Sequence, residues 1–232
     1  MPKPSWPKFS PQVSLKTYLS DRIEVGYTQF GPILGIAGTM TTQNKIVFVY
    51  HIKIDIEHLG DETHHPFDWF SFRPHEFRVG SFTGIGSKMA SKFMVAPDRP
   101  FQYNIVFSDQ RRYAEIKNNL KTIKMEWDYV LADAAKSSKE TTYQELFQRF
   151  LQMPDIVEAT AFLREMSYWR EGNYSAKILI TTQENKPPME IDKSFALTNQ
   201  DAQSLEENAL PIIADLCRQP DILYNTSSPA LK

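Results

Sequence analysis

The chain has 232 residues, 41% of them hydrophobic, 12% aromatic and 23% charged, with 9 Gly and 15 Pro. That apolar fraction excludes wholesale disorder, and the low glycine content excludes a collagen-like repeat. With 26 basic against 28 acidic residues the formal net charge is -2, which argues against a bulk electrostatic pull toward nucleic acid or an anionic membrane.

Cysteine usage points the same way as charge, toward an ordinary interior protein. Cys217 is alone, so no intrachain disulfide can form, and a reducing, cytoplasmic location is expected. The first residues lack the apolar stretch of a signal peptide, and no run is long enough for a membrane span. Pro2, Pro4, Pro7 and Pro11 remove backbone donors, so residues 1–12 read as a disordered Pro-rich arm.

Strand signals follow in chain order. Arg22 to Tyr27 alternates Ile23, Val25 and Tyr27. Ile33 to Thr41 carries Gly35 and Gly38, and the turn residues Thr42 to Lys45 predict a hairpin into the next strand. Val47 to Glu57 alternates most cleanly, with Phe48, Tyr50, Ile52, Ile54 and Ile56 against Val49, His51, Lys53, Asp55 and Glu57. Phe67 to Arg73 is aromatic on both faces. Residues 74–99 read as a loop. Phe101 to Ser108 alternates again, and so does Lys121 to Leu131 through Ile123, Met125, Trp127 and Tyr129.

The period then changes from two to about 3.6. Thr142 and Glu145 form a capping box before Leu146, Phe147, Phe150 and Leu151, and Pro154 opens a second helix, so 141–167 reads as a helical insertion. Tyr174 to Thr182 and Ile191 to Leu197 predict a second hairpin. Residues 199–217 read as a C-terminal helix interrupted at Pro211, and 220–232 as a loose tail. About eight short, half-buried strands predict a mainly β antiparallel sandwich, a single domain over 13–219. The run from Tyr168 through Trp169, Gly172 and Tyr174 to Thr182 resembles the turn-and-strand entry of immunoglobulin-like sandwich domains, and that resemblance implies an immunoglobulin-like fold without implying an activity.

Chemistry is sparse. All five histidines fall between 51 and 75, mixed with carboxylates, and the metal-ligand candidates are His51, Asp55, His64 and His65. They match no established ligand spacing, so a wet strand face followed by a polar loop is the preferred reading and no metal is expected. Val79 to Lys88 has the glycines of a phosphate loop but not the spacing, because Ser87 separates Gly86 from Lys88. Arg73, His75, Arg78 and Lys88 make the stretch locally basic and are the binding candidates for an acidic or phosphorylated partner. No nucleophile motif is present. The expected function is therefore a non-catalytic binding or protein-interaction module, with a protein partner or self-association, no nucleic acid and no cofactor. The alternative is a hydrolase using a divalent metal at the 51–75 cluster.

Overall fold

Strict alternation of buried and half-exposed residues runs along His51–His58 in the computed structural model, which describes residues 14–43, 45–79, 82–137, 141–182, 187–220 and 222–232. Eleven strands form among the described residues. They are β1 (Ser14–Thr28), β2 (Gly31–Gln43), β3 (Val47–Val49), β4 (His51–His58), β5 (Thr63–Val79), β6 (Phe82–Met89), β7 (Phe93–Val95), β8 (Phe101–Ser108), β9 (Gly172–Thr181), β10 (Met189–Leu197) and β11 (Thr226–Ser227). Five helices accompany them: α1 (Gln110–Lys136), α2 (Tyr143–Leu151), α3 (Pro154–Met166), α4 (Asn199–Glu206) and α5 (Ala209–Leu216).

The mainly β, antiparallel character expected from the alternation is present. Its arrangement differs from an immunoglobulin-like sandwich, in which two separate sheets face each other. Here one continuous path runs β10-β9-β4-β5-β8-β2-β1-β11, with β6 continuing beside β5, and only β3 and β7 form a separate pair. The expected hairpin from β2 into the next strand is absent, because β2 pairs with β1 and β8 instead. The β9–β10 hairpin forms as expected.

The sheet curls until its edges meet through the end of the chain. Residues 220–232, expected to be loose, carry the strand β11, which pairs with Val25 and Gly26. Beyond it, Ile23 N–H donates to Pro229 O (3.2 Å) and Leu231 N–H to Asp21 O (2.8 Å). Lys232 and Ser194 of β10 exchange two backbone bonds of 2.9 and 3.1 Å. Polar composition alone could not show this, since the tail contributes backbone donors and acceptors rather than apolar side chains. The closed interior is filled by Ile23, Val25, Leu34, Ile54, Ile105 and Ile178, among others, all at most 2% exposed. A ring of about eight strands leaves a lumen that side chains can fill.

Residues 121–131, expected as a strand, lie in α1. The decisive spacing is Ile116, Leu120, Ile123 and Trp127, all buried, whereas Met125 and Tyr129 of the apparent alternation face solvent. Asp109 caps the helix directly after β8, accepting from Arg111 and Arg112 N–H at 3.0 Å. Residues 74–99, expected as a loop, contain the rest of β5, all of β6 and β7; the glycine-rich stretch pairs with β5, Gly84 opposite Phe77 and Gly86 opposite His75. The helical insertion forms as α2 and α3, with the Thr142–Glu145 capping box in place. The C-terminal helix is two helices, α4 and α5, broken just before Pro211.

Helices α1, α2, α3 and α5 share a second core, to which the sheet contributes Tyr27. Buried bonds join the two bodies: Tyr27 Oη donates to Leu163 O (2.6 Å), and Asn208 Nδ2, at the start of α5, donates to Tyr27 O (3.0 Å).

Candidate functional site

The strand pairing decides where the histidines go. On the outer face, His51 Nε2 meets Asp68 Oδ1 at 3.1 Å, Lys53 pairs with Asp55 at 3.1 Å, and His64 lies 3.9 Å from Glu57. His65 follows His64 on an extended strand and points to the opposite, buried face, opposite Ile56. The four metal candidates His51, Asp55, His64 and His65 are therefore split between two faces. Among the described residues, no three His, Cys, Asp or Glu side chains gather as metal ligands.

His58, which the spacing argument did not single out, is the better-connected imidazole. Its Nδ1 lies 2.8 Å from Asp61 Oδ1 and its Nε2 3.2 Å from Glu171 O, and the ring packs on Tyr174 with centroids 4.8 Å apart. Asp61 also receives Thr63 Oγ1 (2.7 Å) and Arg170 (3.1 Å). The bonds from Thr63 and His58 hold the Asp61 carboxyl well below the usual carboxylate range. This knot ties the β4–β5 turn to the entry of β9, so its role is structural.

The basic binding set is also dispersed in role. Arg73 makes a two-pronged ion pair with Glu24 of β1, one prong at 2.6 Å, across the face of Gly35. A Cβ at Gly35 would sit 3.3 Å from the guanidinium, so the missing side chain makes room for the pair. Lys88 is exposed, opposite Phe72. His75 and Arg78 lie on β5, and their side chains fall outside the described ones.

A buried polar cluster lies where α1 meets the sheet. His65 stacks on Tyr168, the Arg112 guanidinium carbon is 5.8 Å from the same ring centroid, and Asp109 starts the helix beside them. Burial, reinforced by Arg112 and Arg111, pushes the His65 imidazole down to about 4. Burial, then the Asp109 charge, raises the Tyr168 phenol well above its usual value. His65 Nδ1, Asp109 Oδ2 and Tyr168 Oη are buried without a hydrogen-bond partner among the described residues.

Elsewhere, a groove of about 420 Å³ lies between α1 and α2. Val130, Ala134, Leu146 and Phe150 form its apolar floor, and Glu126 and Asp133 stand on one rim opposite Arg149. The capping box fixes where α2 begins. Tyr129, 64% exposed, borders it. Glu126 and Asp133 have no ion pair among the described residues. Alternation over 121–131 conceals this site, because it presents as strand part of the helix that forms one wall. The signal that finds it is the 3,4 spacing from Ile116 to Trp127 with Asp109 as cap. No family model, curated protein or solved structure matches this chain.

Proposed function

We propose that the chain is a non-catalytic binding module that takes an apolar segment of a partner protein, flanked by Lys or Arg, in the groove between α1 and α2. One observation carries this reading: an apolar floor lies beneath two carboxylates that have no ion pair among the described residues. Apolar contact supplies attraction, and Glu126 and Asp133 select the charge of the flanks. The dispersed histidines and the committed Arg73 favour this face over the sheet. A cytoplasmic location, in keeping with the lone Cys217, goes with the proposal.

Selection of phage-displayed random dodecapeptides on the intact chain tests it. The expected result is enrichment of peptides with an apolar anchor beside Lys or Arg, lost on Ala134→Trp and weakened on Glu126→Gln/Asp133→Asn, with unchanged circular dichroism for each variant. No enrichment, or equal enrichment on the filled groove, overturns it. A dimer in solution that Ala134→Trp dissolves would give the groove to a second copy and likewise overturn it.

A further inference from the structure

We infer that the outer face of the β3–β7 ribbon docks on an anionic lipid surface, a role independent of the α1–α2 groove. The ribbon has two unlike faces. Val47, Val49 and Val95 are buried at most 5% exposed, and two of them, Val49 and Val95, belong to the main core. Alternation puts the intervening residues outside: Phe48 is 51% exposed and its cross-strand partner Met94 is 49% exposed. Ile46, one residue before the ribbon, is 53% exposed. Three large apolar side chains thus stand in water on one face of an element that is otherwise anchored.

Cations flank them along the chain. Lys45 precedes Ile46, and Arg99 is tied by its N–H to Ala96 O (3.3 Å), just beyond the end of β7. At the other end the Lys92 amine lies 4.6 Å from the Tyr50 ring centroid. Segments 45–50 and 88–99 hold Lys45, Lys88, Lys92 and Arg99 against one carboxylate, Asp98. None of these cations forms an ion pair among the described residues. A net charge of -2 over the whole chain conceals this local excess, and it is the local field that an adjoining surface meets.

The shape selects lipid over an acidic protein. Side chains that project from a ribbon offer no pocket to grip a partner's anchor residue. Strands of three residues are too short to template an added strand. Projecting apolar groups on a ribbon whose flanking segments carry Lys and Arg suit the boundary between headgroups and acyl chains, where apolar burial and attraction to anionic headgroups act together.

Co-sedimentation of the full chain with vesicles of equal parts phosphatidylcholine and phosphatidylserine tests this, with pure phosphatidylcholine vesicles as the comparison. The expected result is binding to the mixed vesicles only, weakened about tenfold or more by Phe48→Thr/Met94→Thr, whose β-branched replacements keep the strands. A Phe48→Trp variant is expected to show a blue shift of the added emission on the mixed vesicles. Failure to sediment, equal binding to both vesicles, or binding untouched by the double substitution overturns the inference. Binding to polyglutamate in place of the vesicles would assign the face to an acidic protein and overturn it too.

Discussion

The His65 imidazole lies flat on the Tyr168 ring, with centroids 3.6 Å apart and planes 7° from parallel. The pair joins β5 to the linker after α3, at the junction of the two cores. Among the described residues neither His65 Nδ1 nor Tyr168 Oη has a hydrogen-bond partner, and ring stacking with the nearby Arg112 guanidinium holds both groups inside. Two expectations follow from that arrangement.

The first concerns acid. The folded imidazole titrates at about 4, below its unfolded value near 6.5. A base with a depressed folded pKa adds nothing above pH 6.5, where it is neutral in both states. As pH falls from 6.5 toward 4 the unfolded chain takes a proton that the fold refuses, and stability drops by up to about 3 kcal/mol. Urea unfolding at a series of pH values should show this slope, and His65→Phe should flatten it. An unchanged slope in the variant refutes the assignment to His65.

The second concerns the phenol. Tyr168→Phe keeps the stack and removes a buried hydroxyl that has no partner. Stability should stay level or rise by about 1 kcal/mol, read from the urea midpoint. A loss of more than about 1 kcal/mol would mean that the hydroxyl is paired in solution.

Gly172 opens β9 at a φ of 144°, and a Cβ there would overlap the His58 imidazole. Gly172→Ala must therefore strain the backbone and displace the ring that holds Asp61 and Glu171. A loss of about 3 kcal/mol is expected in thermal or urea unfolding. A loss below about 0.5 kcal/mol would show that the knot yields freely.

Removing residues 226–232 takes away the backbone bonds that join β1 to β10. Stability should fall by about 3 kcal/mol or more, and the two freed edges should promote self-association. Unfolding curves and light scattering of the truncated chain read both effects. A truncated chain as stable as the full one, and monodisperse, contradicts closure of the sheet by its terminus.

Side-chain periodicity made several elements legible. The alternation at Ile52, Ile54 and Ile56 placed β4, and those three side chains are at most 2% exposed. The Thr142–Glu145 capping box located α2. Pro211 marked the break before α5. The same method failed for 121–131, where a chance alternation coincided with a longer 3,4 pattern; a window opening at Asp109 distinguishes them, because a cap and Ile116 lie before the ambiguous stretch. Clustering of the five histidines in sequence said nothing about convergence, since neighbours on a strand face opposite ways. The groove was hidden by the misread helix, which supplies one of its walls.

The sequence by itself determined the local conformation and the apolar side of elements such as β4 and α2, because sterics, capping and periodicity act over a few residues. Only the tertiary structure decided that β2 takes β1 and β8 as partners, that the chain end closes the sheet, and that Arg73 is spent on Glu24. Those outcomes join residues far apart along the chain, such as Asp21 with Leu231 and Ser194 with Lys232. Backbone hydrogen bonds are chemically alike at every position, so no side-chain pattern encodes which two segments will share them; the packing of the whole core selects the pairing.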